Sequence, residues 1–144
     1  MTRAEGDPAI NLGLAGRVVL VTGGVRGVGA GISSVFAEQG AVVVTCARRT
    51  VENLPYEFHA CDVRDEDAVA TMVDAIVQRH GRIDVVVNNA GGSPYVPAAE
   101  ATAKFNRKII ELNLIGPLAV SQRANAHMQN QADGGSIVNI SSVS

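Results

Sequence analysis

Tryptophan is absent from this 144-residue chain, and two tyrosines and three phenylalanines are its only aromatic residues. So few flat rings leave no stacking platform for bases and no aromatic belt for a membrane interface. Excess charge of one sign is missing too. Twelve basic side chains against fourteen acidic ones give a formal charge of −2, which supplies no basic field for nucleic acid or an anionic membrane. Two cysteines, Cys46 and Cys61, are too few for a disulfide scaffold and stand at no zinc-ligand spacing. A reducing, cytoplasmic setting is the expectation. His59, His80 and His127 show no metal-ligand spacing either, so no metal is expected. Long apolar runs are lacking: stretches such as Ala41 to Val44 fall far short of the roughly 20 residues of a membrane helix. Glu5, Asp7 and Pro8 interrupt the opening residues, where a secretory signal would be basic and then apolar.

What is present is material for a core. Hydrophobic residues make up 47% of the chain and charged ones 18%, too apolar a balance for intrinsic disorder. Such a length fits one compact domain. Residues 1–16 are polar, hold Pro8 and show no periodicity, so they read as a loosely held arm before a domain at 17–144. Val18 to Val21 form a short apolar run closed by glycines, the pattern of a strand buried on both faces of a parallel sheet. Val28, Ile32, Val35 and Phe36 then recur at helical spacing before Gly40.

The alternation continues with strands at Ala41 to Cys46 and Tyr56 to Cys61, then a helix over Asp65 to His80 with acidic residues at its start and basic ones at its end. A fourth strand at Ile83 to Asn88 is followed by a glycine and proline loop. A long helix from Thr102 to Gln129, bent at Pro117, leads to a fifth strand at Ser136 to Ser141. Strands alternating with helices predict an α/β fold: a doubly wound, Rossmann-like parallel sheet of about five strands.

Thr22, Gly23, Gly24, Val25, Arg26, Gly27, Val28 and Gly29 lie between the first strand and the first helix. A turn there offers free backbone N–H groups and a positive helix end to an anion, and glycine lets a pyrophosphate come close. The spacing is Gly-x-x-x-Gly-x-Gly rather than Gly-x-Gly-x-x-Gly, and no Gly-Lys-Ser/Thr follows to make a triphosphate loop. Taken alone, the loop is weak evidence, because a structural turn is the alternative.

It does not stand alone. With Asn88-Asn89-Ala90-Gly91 after the fourth strand, the loop resembles the short-chain dehydrogenase/reductase family. Asp62-Val63 resembles that family's adenine contact, Asn113 in Asn113-Leu114-x-Gly116 its long-helix asparagine, and Ile140-Ser141-Ser142 its serine strand. The resemblance runs from Leu14 almost to the last residue. It implies a nicotinamide dinucleotide held by Gly23, Arg26, Gly27, Val28, Gly29, Arg48, Asp62, Val63, Asn89, Ala90 and Gly91. It further implies hydride transfer between that cofactor and a small-molecule carbonyl or alcohol. Ser142 would orient the substrate oxygen, with Ser141 its near rival, Asn113 would anchor a proton relay, and Ser93 to Pro97 would line the substrate entrance.

The end of the second strand separates the two nicotinamide cofactors, because an acidic group there accepts the ribose hydroxyls and repels a 2′-phosphate. Ala47, Arg48 and Arg49 stand there instead, and Arg26 lies within the glycine loop, so NADP is expected over NAD.

The family's acid/base tyrosine, with a lysine four residues later, has no counterpart. Tyr56 and Tyr95 are followed at that distance by Ala60 and Ala99. The chain therefore reads as the first five strands of a larger domain, incomplete on its C-terminal side and expected to be inactive alone. Strands that would complete the sheet would also complete the nicotinamide pocket and, in many members, a homo-oligomer interface. Three readings remain open: part of an NADP-dependent oxidoreductase, a binding module without turnover, and a nonfunctional truncated product whose fifth strand is an open edge.

Overall fold

The computed structural model describes residues 11–142, so residues 1–10 of the expected arm lie outside the described part. The rest of that arm is tied to the domain: the Gly16 N–H donates to the Gly40 carbonyl at 2.9 Å, and the Arg17 N–H to that of Leu14 at 3.0 Å.

Five parallel strands form one sheet in the order β3-β2-β1-β4-β5. These are β1 (Val18–Thr22), β2 (Val42–Ala47), β3 (Glu57–Ala60), β4 (Val85–Asn88) and β5 (Ser136–Asn139). The central strand β1 is buried throughout, as an apolar run without alternation requires. Its side chains alternate between faces. Val18 and Leu20 join a large core with Val69, Val73 and Ile76 of α2 (Glu66–His80) and with Val120, Ala124 and Met128 of α4 (Gly116–Met128). Val19 and Val21 join a smaller core with Val87, beneath Ile32 and Phe36 of α1 (Gly27–Glu38). The α/β fold with helices on both faces is thus as the sequence implied.

Differences in detail have physical causes. Val28 and Val35 are 67% and 58% exposed, and α1 instead buries Gly29 and Ser33, because the backbone at Gly29 packs directly on the loop after β1. Asp65 caps α2 rather than belonging to it, its carboxylate accepting from the Ala68 N–H at 3.0 Å. β4 starts two residues later than expected. Ile83 pairs instead with the side chain of Gln131, whose Oε1 accepts from the Ile83 N–H at 2.9 Å and whose Nε2 donates to the Ile83 carbonyl at 3.0 Å. Beside it the 5%-exposed carboxylate of Asp84 accepts from the Val18 N–H, Arg17 and Arg82. Burial pushes that carboxyl up, but Arg82, the Val18 N–H and Arg17 together hold it below the usual carboxylate range.

The single long helix expected from Thr102 to Gln129 is three segments: α3 (Ala103–Ile110), a π-helical turn over Glu111–Ile115, and α4. Pro117 has no N–H to give the Asn113 carbonyl, and the preceding turn widens, the Gly116 N–H donating back to Glu111. The distortion therefore falls before the proline rather than at it. β5 stops at Asn139 instead of Ser141, because its neighbour β4 ends at the paired residue Asn88; one further bond joins the Ile140 N–H to the Asn88 carbonyl at 2.9 Å.

Candidate functional site

At the carboxyl ends of β1, β2 and β4 lies a cleft of about 400 Å³. It brings together Gly23, Arg26, Gly27, Val28 and Gly29 from the first loop, Arg48 from the end of β2, Asp62 and Val63 after β3, and Asn89, Ala90 and Gly91 after β4. All eleven residues expected to face a dinucleotide thus share one hollow, reached from four separate stretches of chain.

Its floor is fixed by hydrogen bonds between the ends of β1 and β4. The Thr22 hydroxyl accepts from the N–H groups of Asn89 (3.1 Å) and Ala90 (3.0 Å), pinning the loop after β4 to the end of β1. The Asn89 side chain returns the link, its Nδ2 donating to the carbonyls of Thr22 at 3.0 Å and Gly23 at 3.2 Å. Gly29 packs against this junction. A Cβ there would drive into the Gly23 carbonyl oxygen and the Asn89 amide, so no other residue leaves the cradle its shape.

The first turn of α1 points at the same cleft with its N–H groups uncapped: Arg26 at the N-cap makes no side-chain cap bond, and no acidic residue lies in the turn. Free N–H groups and the positive end of a helix dipole are what an anion would meet at such a terminus. Asp62 carries the opposite charge at the far end. Hydrogen bonds from Arg64 hold its carboxyl below the usual range against the opposing effect of burial, and the charge of Arg48 acts in the same direction. Cys46 and Cys61 line the cleft as neutral thiols, pushed up to about 12 and about 11, chiefly by burial. Neither is an activated nucleophile.

A second hollow, of about 560 Å³, meets the first at Ala90 and Gly91 and is lined by Asn113, Leu114, Leu118, Ile137 and Ser141. Asn113 sits on the π turn with its side chain fully engaged. Its Oδ1 accepts from the Gly92 N–H at 2.9 Å, and its Nδ2 donates to the carbonyls of Gly92 (3.0 Å) and Ile109 (2.9 Å). Pro117, four residues on, has no N–H to give the Asn113 carbonyl. Ser142 lies three residues past the end of β5 and is exposed; Ser141, not Ser142, lines the hollow. Ser93 and Tyr95 in the loop after β4 are exposed, Tyr95 to 93%.

Several positioning groups escaped the sequence reading. Arg64 and Ser121 stand outside every motif, and Asn88 lies within one but faces away from the cleft, donating to Ser121 at 2.9 Å and Asn139 at 2.8 Å beneath the second hollow. Thr22 was visible as the first residue of the glycine loop, yet its role depends on β4 lying beside β1.

A parallel sheet wound on both faces, with a glycine-floored cleft at its carboxyl edge and an uncapped helix N-terminus aimed into it, is the architecture of the Rossmann-like α/β class. Residues 17–144 match the family model for short chain dehydrogenase, and the chain belongs to that family, whose members bind a nicotinamide dinucleotide. It is similar to L-fucose dehydrogenase of Bos taurus, 44% identical over 137 residues that cover 90% of this chain and 50% of the relative. Among solved structures it resembles ligand-free aldohexose dehydrogenase of Thermoplasma acidophilum, with a TM-score of 0.86 and 36% identity over 91% of this chain and 51% of that one. It also resembles ElxO with NADP bound, with a TM-score of 0.84 and 32% identity over 89% of this chain and 56% of that one. A reductase of the same fold, 23% identical, is complexed with NAD. The chain spans about half the length of the curated relatives it matches. No helix among the described residues is long and apolar enough to cross a membrane.

Proposed function

We propose that the cleft binds NADP(H) and that the protein serves a cytosolic oxidoreductase reaction on a small carbonyl or alcohol. The observation that carries the cofactor choice is Arg48, which lines the cleft at the end of β2 where an acidic residue would select NAD. Arg26 lines the same hollow from the glycine loop and adds a second donor for a 2′-phosphate. The residues fit such a group. The uncapped turn of α1 and the glycine floor would hold its pyrophosphate, Asp62 and Val63 its adenine, and Arg48 and Arg26 the phosphorylated ribose.

A bound nicotinamide dinucleotide supplies or accepts the hydride of such a reaction. The chain's own residues then do positioning work. Asn89 and Thr22 fix the wall shared by the two hollows, and Asn113, which holds the loop at Gly92, is our assignment for the anchor of a proton relay. Ser142 is our assignment to the substrate oxygen, with Ser141, which lines the second hollow, its near rival. The names of the relatives, L-fucose and aldohexose dehydrogenases, favour sugars as the first substrates to try. Because these 144 residues contain no Tyr-x-x-x-Lys, we expect the isolated chain to bind the cofactor without turning substrate over. A proton-transfer group contributes roughly 10²–10⁴-fold to such reactions.

Titration of NADPH and NADH against the chain, with and without Arg48→Ala, tests this reading. A charge-assisted hydrogen bond is worth roughly 1.5–3 kcal/mol, so a preference for NADPH of about ten- to a hundredfold is expected, shrinking in the variant. Equal affinities in the unsubstituted chain refute the cofactor choice, and NADPH-dependent turnover by a chain of confirmed mass refutes the expected inactivity.

A further inference from the structure

The two edges of the sheet are built differently. Two of the four residues of β3, Glu57 and His59, are ionisable, and Pro55 stands just before the strand. The Glu57 carboxylate accepts from His59 at 2.9 Å and from His80 of α2 at 2.8 Å. Charged side chains and prolines are the devices by which natural sheets discourage pairing at an edge. β5 has neither. Residues 136–144 contain no charged residue, no proline and no glycine, and all four residues of β5 are exposed. Exposed apolar side chains gather around it: Ile137, Val138 and Ile140 along the chain, with Leu114 and Leu118 on the adjoining wall of the second hollow.

The pairing with β4 shows which groups are left over. The Ser136 N–H donates to the Asp84 carbonyl at 2.8 Å and the Ile140 N–H to that of Asn88 at 2.9 Å, so the even-numbered residues turn their main-chain groups toward β4. Alternation along a strand turns those of Ile137 and Asn139 outward, with Ser141 next in line. We propose that β5 pairs antiparallel with β5 of a second copy of this 144-residue chain, about a two-fold axis at Asn139 that sets Ile137 opposite Ser141 of the second copy. A two-fold pair presents the same groups from both sides, so each outward N–H meets an outward carbonyl. Neither strand carries a charge to repel the other, and a formal charge of −2 on the whole chain opposes association little. The guarded β3 sets the stoichiometry. Each copy has one receptive edge, the pair uses both, and two five-stranded sheets become one continuous sheet that stops growing. The contact is small, well short of the roughly 20–30 residues a side of a standard interface, so the dimer should be weak, with a dissociation constant in the micromolar range or above. It does not depend on what the cleft binds.

Sedimentation equilibrium of the 144-residue chain tests the pairing, with a reversible shift from one chain mass to two expected between low micromolar and submillimolar concentration. Amide exchange followed by NMR locates the contact. Protection of the Ile137 and Asn139 amides should rise with concentration, while that of Ile140, already bonded to Asn88, should change least. Val138→Lys places a like charge on each strand of the pair and is expected to raise the dissociation constant by at least about tenfold, with the circular dichroism spectrum unchanged. Ile137→Pro removes an outward N–H and leaves the ladder to β4 whole, so it should weaken the dimer too, and it supplies the comparison if Val138→Lys does not fold. A chain that stays monomeric throughout overturns the inference. So do a dimer that leaves the Ile137 and Asn139 amides unprotected, growth beyond two copies, and a dimer indifferent to both substitutions.

Discussion

Two glycines of α1, two residues apart, should respond to the same substitution with opposite signs. In Gly29→Ala the new methyl runs into the Gly23 carbonyl and the Asn89 amide. The junction between the first loop and the end of β4 must open, at the expense of the Asn89 bonds to Thr22 and Gly23. Overpacking costs about 1–3 kcal/mol and each lost hydrogen bond about 0.5–1.5, so the total is about 2–6 kcal/mol. At about 3 °C per kcal/mol for a domain of this size, the melting temperature falls by roughly 6–18 °C.

Gly31 is exposed, and a Cβ there meets nothing within 4 Å. Gly31→Ala therefore collects only the helix-propensity gain of about 0.5–1 kcal/mol and raises the melting temperature by about 2–3 °C. Thermal unfolding followed by circular dichroism reads both. NADPH titration adds a second axis, because Gly29→Ala should weaken binding while Gly31→Ala leaves it unchanged. A Gly29→Ala protein that melts with the parent, or a destabilised Gly31→Ala, would falsify the steric account of the cradle.

In the large core, Ile76 is completely buried between α2 and the sheet, so Ile76→Ala should cost about 2–5 kcal/mol and Ile76→Val about 0.5–1.5 in urea unfolding. Comparable losses for the two would mean that the site is not close-packed. Acid stability follows from Asp84 and Asp62, both held below their ordinary values in the folded chain. An unfolded Asp titrates near about 3.9, so the unfolded chain takes up protons first as pH falls. Stability from these groups is complete above about pH 5 and is lost progressively below pH 4. Asp84→Asn should lower the urea midpoint at pH 7 and flatten the loss between pH 5 and 3; an unchanged slope would show that Asp84 is not a carrier of the acid response.

The sheet was legible in the sequence because a parallel strand buried on both faces writes itself as a continuous run, as at Val18 to Val21, and α2 because its apolar spacing, its charges and its stop at Gly81 all agree. The lining of the cleft was legible for a different reason: each motif residue sits at the carboxyl end of a strand, where chain order alone brings it to one edge. Pairings across the chain were not. Arg64 and Asp62 are neighbours whose fork depends on a turn conformation, Thr22 needs β4 beside it, and the Ile83–Gln131 link joins residues 48 positions apart. The π turn lay between the two extremes. Pro117 announced a disturbance, but which residues would absorb it depended on Gly116 packing against Val63 across the domain, where a Cβ would come within 3.0 Å of a Val63 methyl.

The link between Ile83 and Gln131 has a further consequence. A glutamine amide presents one acceptor and one donor in a plane, as a peptide group does, so Gln131 continues the ladder of β4 with a side chain where no strand is available. The same Nε2 reaches the Gly134 carbonyl at 2.6 Å and so ties the turn after α4 to the approach of β5. Exchange of the Ile83 amide with solvent deuterium therefore requires that turn to lift away from the sheet. A single amide proton placed one residue before Asp84 becomes a clock for the docking of α4 and β5, separate from the breathing of the strands themselves.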